Sequence, residues 1–304
     1  MNRKLLATFG LKWNPFIPEI PDEALMHTPA VDHFCWRIEQ QLRDGGFALA
    51  TGDSGTGKSA TLRLLVRHLS SLPEVMVGSL NRPNSRLGDF YREMGEVFGL
   101  SLSPANRYGS FKVLREKWEA HLAATLWRPV LIIDEAQEMK LDVLSELRLL
   151  SSTNFDSHSV LTVVLGGDGQ LVDLLRTPRL LPLGTRIRTR LHMQYATPKQ
   201  LAELLAHLLS QAGNPRLMTP SLMTTLCEHA AGNCRTLCNM ANDLLTEGLN
   251  REASQLDEKL YLEVFGTSPK PRSRSDARKN AERQPTTLES RVALDTGKSL
   301  RQLF

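Results

Sequence analysis

The sequence predicts an α/β domain, a mainly parallel sheet flanked by helices, followed by a small all-helical domain and a disordered C-terminal tail. Three observations predict it. Short apolar runs at 47–51, 130–133 and 161–165 carry no polar alternation, as strands buried on both faces do. Segments of helical periodicity separate these runs, the alternation of a parallel α/β sheet. Beyond Pro198 the β signals vanish, only helical patterns remain, and from Thr267 the chain turns polar, basic and proline-containing.

Each element follows in order. Residues 1–44 form an N-terminal lead-in and a helix: Trp13, Asn14, Pro15 and Phe16, then Pro18 and Pro21, precede an amphipathic stretch over 31–42 with Phe34, Ile38 and Leu42 on one face. Gly45 and Gly46 break it and open a domain spanning 45–196. There the run 47–51 reads as the first strand, a glycine-rich loop follows, and 60–72 is helical; 75–80 is the second strand, with helices over 87–98 and 111–126. Pro129 introduces the strand 130–133, 141–150 is a helix, 161–165 a further buried strand, 171–176 a helix before Pro178, and 188–194 the last strand. Helices over 200–211, 220–231, 235–249 and 257–265 make a lid domain spanning 197–266, and 267–304 is the tail.

Composition narrows the function classes. With 304 residues, 41% hydrophobic and 23% charged, the chain is globular, not collagenous or disulfide-dense. The formal charge of +4 is unevenly spread: residues 267–304 hold nine basic against four acidic residues, a net of +5, which leaves −1 for residues 1–266. Affinity of the body for a polyanion therefore has to come from local patches. The four cysteines, Cys35, Cys227, Cys234 and Cys238, do not form a disulfide framework, so a reducing cytoplasm is the expected setting. No signal-peptide core and no run of about 18 apolar residues occurs, and no membrane association is expected.

The chemistry begins at Gly52, Asp53, Ser54, Gly55, Thr56, Gly57, Lys58 and Ser59, which match G-x-x-x-x-G-K-[ST] between a strand and a helix. Backbone N–H groups of such a loop, through Ala60, make an anion nest at a helix N-terminus. Lys58 reaches the β and γ phosphates of a nucleotide and the Ser59 hydroxyl ligates Mg²⁺; the cofactors expected are ATP and Mg²⁺. Leu131, Ile132, Ile133, Asp134 and Glu135 form an apolar strand ending in two carboxylates, a Walker B pattern. Asp134 is the Mg²⁺ residue and Glu135 the base that polarises the attacking water.

Further along, the buried run ends in Gly166, Gly167 and Asp168, where Asp168 reads either as a γ-phosphate sensor or as a turn aspartate. Arg186, Arg188 and Arg190 alternate onto one strand face, and one of them, Arg186 at the strand entrance first, is the candidate for an arginine finger directed at a neighbouring subunit; a solvated basic strand face is the other reading. Arg235, after Gly232, Asn233 and Cys234, stands at a helix start where the helix dipole disfavours a cation, which points to a nucleotide-facing role. Cys227, His229, Cys234 and Cys238 lack zinc-site spacing and read as core thiols.

Taken in this order, residues from about Trp13 to Phe265 resemble the AAA+ ATPases, particularly the ExeA-like branch that includes the TnsC, TniB and MuB transposition helpers. The marks are Asn14–Phe16, Gly52–Ser59, LIIDEAQEM from Leu131, ELRLLSS from Glu146, LTVVLGGD from Leu161, TRIRTR from Thr185 and GNCR from Gly232. The resemblance implies an ATP-hydrolysing homo-oligomer, ring or helical filament, around double-stranded DNA, which marks a target for a transposase. An amide or hydroxyl is commoner than Asp168 at the sensor position of this family. In the related helpers the segment after the second strand lines the channel, so Arg82 and Arg86 are the candidate DNA-phosphate contacts, followed by Arg107 and Lys112 beside Tyr108; a solvated loop is the other reading. The tail end, with Leu294, Leu300, Leu303 and Phe304, reads as a transposase-docking motif or as unstructured chain. An oligomer acting on a protein partner in secretion, signalling or defence is the alternative function.

Overall fold

A computed structural model describes residues 2–80, 83–155 and 157–266. Residues 2–264 form one compact unit. It opens with α1 (Asn2–Phe9) and, after a 3₁₀ turn at Asp22–Ala24, α2 (Pro29–Gln41). Thr28 caps α2 and Pro29 sits in its first turn, where its missing N–H costs nothing. The sheet strands and their helices follow: β1 (Gly46–Gly52), α3 (Lys58–Ser70), β2 (Val77–Leu80), α4 (Leu87–Phe98), α5 (Arg107–Thr125) and β3 (Val130–Ile133). After α6 (Leu141–Ser151), a short hairpin pairs β4 (Ser152–Thr153) with β5 (His158–Ser159). Then come β6 (Thr162–Gly167), α7 (Gly169–Arg176), α8 (Leu181–Gly184) and β7 (Ile187–Met193).

Five strands form one parallel sheet in the order β2-β3-β6-β1-β7. Both faces of the sheet are covered, and strand β1 shows how: Phe47 and Leu49 enter the core under α4 to α8, whereas Ala48 and Ala50 enter the core under α2 and α3. Alternating side chains thus point to opposite faces and are buried on both, which is why the sequence shows an unbroken apolar run. The predicted strand 161–165 extends two residues further, because Gly166 and Gly167 continue the pairing to Ala50 and Thr51.

The helical part consists of α9 (Pro198–Ala212), α10 (Pro220–His229), α11 (Cys234–Asn250) and α12 (Glu258–Phe265). Thr197 and Gln200 make a capping box on α9, which Gly213 ends in the left-handed conformation, while Thr219 and Asn233 cap α10 and α11. Leu201, Leu205, Leu222, Leu237 and Leu244 build its core. Into that core the lead-in also folds: Leu5, Phe9, Leu11 and Phe16 are buried there. Asn14 donates to Asn242 Oδ1 at 2.8 Å and accepts from the Phe16 amide at 3.0 Å, so the Asn-Pro-Phe mark is an anchor onto α11. Residues 2–16 therefore pack with the helical part, while Ile20, Ala24 and α2 pack with the sheet. Helix α1, hairpin β4–β5 and helix α8 are not among the elements the sequence predicts; each is too short to show a clear periodicity. Among the described residues no helix is long and apolar enough to cross a membrane.

Candidate functional site

The site lies at the carboxyl ends of the central strands. Gly52 ends β1, and the loop turns through Gly55 (φ 84°) and Gly57 (φ 97°), conformations that glycine takes without the Cβ penalty. Gly57 is the N-cap of α3 and offers no side chain, so the first amides of the helix face outward for an anion. Lys58 is 6% exposed, and its Nζ donates to the carbonyls of Gly52 at 2.7 Å and Asp53 at 3.0 Å. Thr56 Oγ1 braces the turn by donating to the Asp53 carbonyl at 2.8 Å.

Strand β3 delivers the acid pair. Ser59 Oγ donates to Asp134 Oδ2 at 2.6 Å, bringing a hydroxyl and a carboxylate together at the helix start. These are hard oxygen donors, the chemistry Mg²⁺ takes. Glu135 adopts the left-handed region (φ 51°) and its amide donates to Asp134 Oδ1 at 2.9 Å. A non-glycine residue held there costs of order 1–3 kcal/mol, and such strain collects at functional positions. The Glu135 carboxylate is held by Gln137, whose Nε2 donates to its Oε2. Gln137 Oε1 in turn accepts from the Asp168 amide at 3.4 Å, and a Cβ on Gly167 would lie 2.7 Å from that oxygen. Gln137 therefore ties the end of β3 to the end of β6; its place two residues after Glu135 was the only sequence signal for it.

The other predicted residues fall in distinct places. The Asp168 carboxylate caps α7, accepting from the Gln170 amide at 2.9 Å, which is the role of the turn aspartate. Arg235 Nη1 donates to Ser54 Oγ at 2.8 Å, so the start of α11 reaches the loop. Two partners that the sequence did not single out for contact join it there: Asn233 Nδ2 donates to the Ser54 carbonyl at 2.9 Å and the Cys234 amide to the Gly55 carbonyl at 3.0 Å. A Cβ at Gly55 would lie 2.0 Å from Asn233 Oδ1, so glycine is required for this approach.

Arg186 lies at the far end of the sheet. It precedes β7, whose Ile187 pairs with Phe47 at the start of β1, while Met193 pairs with Gly52 beside the loop. Five residues of strand separate those registers, about 16 Å, more than an arginine side chain spans. Arg186 donates to the Pro182 carbonyl, Arg190 to the Gly184 carbonyl at 3.2 Å, and Arg188 pairs with Asp44 at 3.7 Å.

For the DNA candidates, Arg86 is the exposed N-cap residue of α4, and Arg82 lies outside the described residues. Lys112 pairs with Glu116 one turn along α5 at 3.7 Å on an exposed face. Arg107 requires a correction. Its Nε and Nη2 donate to the Glu146 carboxylate at 2.9 and 2.5 Å, and Tyr91 Oη donates to the same carboxylate at 2.5 Å. Glu146 is buried, so Arg107 neutralises an interior charge instead of standing free for phosphate. The tail motif at Leu294, Leu300, Leu303 and Phe304 lies outside the described residues.

Comparison with known proteins places this geometry. Residues 40–175 match the model of the AAA domain. The fold is the P-loop AAA+ fold. Within it the chain is 31% identical over 243 residues to General secretion pathway protein A of Aeromonas hydrophila, a match covering 77% of this chain and 43% of that protein. The chain thus spans less than half the length of this relative. Among solved structures, this AAA+ fold aligns with Cdc6p from Pyrobaculum aerophilum at a TM-score of 0.64 and 16% identity, over 84% of this chain and 72% of that one. It aligns with the Aeropyrum pernix ORC1 protein in complex with DNA at 0.62 and 18% identity, over 83% and 68%. At such identities the likeness is one of fold.

Proposed function

We propose that this chain is a Mg²⁺-dependent ATPase, converting ATP and water to ADP and phosphate, that works as a homo-oligomer on double-stranded DNA and marks target DNA for a transposase in the cytoplasm. The observation that carries the reading is the meeting of a phosphate loop, a serine–aspartate pair and a second acid, with an arginine from α11, at one end of the sheet. Lys58, Ser59, Asp134, Glu135 and Arg235 meet at the carboxyl ends of β1 and β3, while Arg186 stands at the opposite end of β7. That position keeps Arg186 from its own loop, so in this reading it acts as an arginine finger on a neighbouring copy.

The roles follow from the positions. Backbone amides from Gly52 to Ala60 cradle the phosphates, and Lys58 exchanges its two carbonyl partners for phosphate oxygens. Ser59 and Asp134 would hold Mg²⁺, which when bound would supply charge neutralisation for the phosphates. Glu135 orients and deprotonates the attacking water. Arg235 meets phosphate from the lid side, and Arg186 stabilises the developing charge in trans. Arg86, with Arg82 before it and Lys112 as a weaker contact, supplies sequence-independent phosphate contacts. Arg107 is left out because Glu146 holds it.

Two things support DNA as the partner: the resemblance to transposition helpers, and the DNA named with the ORC1 structure that shares the fold. A second reading, an oligomer acting on a protein, is favoured by the match to General secretion pathway protein A. Fluorescence anisotropy of a labelled random-sequence duplex separates the two, measured with an ATP analogue, ADP or no nucleotide at two salt concentrations. Tight, salt-sensitive binding confined to the ATP analogue, and its loss in the Arg82→Ala, Arg86→Ala double variant with ATPase retained, is the expected result. Absence of binding in every nucleotide state leaves the protein partner as the reading.

A further inference from the structure

At the amino ends of the central strands, away from the phosphate loop, a groove of about 1020 Å³ opens between the end of α5, the segment 126–128 and the β4–β5 hairpin. Its walls combine the apolar side chains of Leu122, Leu126, Trp127 and Val160 with guanidinium groups of Arg43, Arg115 and Arg128. Arg128 is the unusual member. It is 7% exposed, its stem is wedged past Gly45, where a Cβ would lie 2.6 Å from its Cδ, and its Nε donates to the Ser159 carbonyl. Among the described residues no carboxylate lies within ion-pairing distance of it. Burial lowers its pKa, Asp44 partly opposes this, and Arg188 adds a smaller lowering.

The Arg128 stem is fixed by burial and its side chain makes one hydrogen bond, so a charge held in place and not paired within the protein is left to the groove. Here the remaining donors face the groove, where Arg43 lies over the Trp127 ring, 5.6 Å from its centroid, and Arg115 already holds the Glu119 carboxylate at 3.6 Å. We propose that this groove is a docking site for an acidic segment of a partner protein, a carboxylate on Arg128 flanked by an aliphatic or aromatic side chain on Leu126 and Trp127. The recess decides between polyanions. A side-chain carboxylate on its methylene stem reaches the groove floor, and Arg128 takes it in bidentate fashion. The phosphates of a duplex, carried on a broad cylinder, meet exposed cations and not one sunk among apolar walls. Leu126, 77% exposed in a left-handed conformation at the end of α5, provides apolar contact that a phosphate backbone would not use.

The site is independent of the nucleotide chemistry, and its test is separate. A fluorescein-labelled peptide alternating glutamate and leucine is titrated with the full-length protein by anisotropy, beside its glutamine analogue. Binding of the glutamate peptide alone is expected, weakened at least about tenfold by Arg128→Met, with ATPase unchanged. Arg43→Glu, an exposed change that spares the buried stem, is the companion variant and is expected to weaken the same peptide. Equal binding of both peptides, wild-type affinity in both variants, or no binding to the wild-type protein overturns the proposal. Displacement of the peptide by unlabelled duplex, with duplex binding itself lost in Arg128→Met, overturns it in favour of nucleic acid.

Discussion

At the residue scale the acid pair of β3 carries the most specific chemistry. Glu135 is held in a left-handed backbone well by its neighbours, and its carboxylate is shared with the Gln137 amide. Glu135→Gln keeps the shape and removes the basicity, so turnover is expected to fall at least about 100-fold while ATP stays bound, measured by phosphate release and nucleotide retention. Normal hydrolysis in that variant would remove the general-base assignment. Gln137→Ala leaves every phosphate-loop contact in place but frees the Glu135 carboxylate and the Asp168 amide. Loss of a hydrogen bond to a charged group is worth about 1.5–3 kcal/mol. The expected result is kcat about tenfold lower with KM for ATP unchanged; a change confined to KM would place Gln137 in binding instead. The pair Asp134 and Glu135 was legible in the sequence as an apolar run ending in acids. The Gln137 bridge was not, because its second partner, Asp168, is distant in the chain and only the β3–β6 pairing brings it near.

Among the elements, α5 and α6 are joined by one buried carboxylate. Glu146 on α6 accepts from Tyr91 on α4 and from Arg107 at the start of α5, and burial together with that hydrogen bond pushes the Tyr91 hydroxyl pKa up. Arg107→Ala is expected to destabilise the protein by about 1–3 kcal/mol in urea unfolding, because it leaves Glu146 with an unanswered charge. Its DNA affinity is expected to match wild type, and a stable variant that loses DNA would restore Arg107 as a phosphate contact. Helix α11 carries a pH prediction. Burial, then the neighbouring Cys234, push the Cys238 thiol pKa up to about 12. The folded state therefore prefers the neutral thiol, and the associated stability is full below about pH 9 and lost as the pH rises toward 12. Cys238→Ala is expected to flatten this part of the stability profile measured by denaturant unfolding between pH 8 and 11. An unchanged slope would assign it to other groups. Helix positions such as 87–98 were readable from periodicity, and the structure shows α4 ending there at Gly99 in the left-handed conformation. The start of α5 was missed by four residues because Asn106, not an apolar residue, sets it.

For the whole molecule, the prediction concerns division of labour between copies. Lys58→Ala disables a subunit's own phosphate loop, and Arg186→Ala disables what it offers its neighbour. Each variant alone is expected to be inactive, and an equimolar mixture is expected to regain turnover, since mixed interfaces pair an intact loop with an intact finger. A mixture as inactive as its parts would place Arg186 outside the site. The sequence by itself determined the alternating α/β order, the phosphate loop and the acid pair, because each is written in contiguous residues: unbroken apolar runs for doubly covered strands, glycines where a Cβ cannot fit, carboxylates at a strand end. Tertiary structure alone decided the strand order β2-β3-β6-β1-β7, the docking of Asn233 and Arg235 on Ser54, the folding of residues 2–16 onto the helical part, and the occupation of Arg107 by Glu146. These depend on which distant surfaces meet, and a side chain's commitment to one partner or another is settled by burial, which no local pattern of residues encodes.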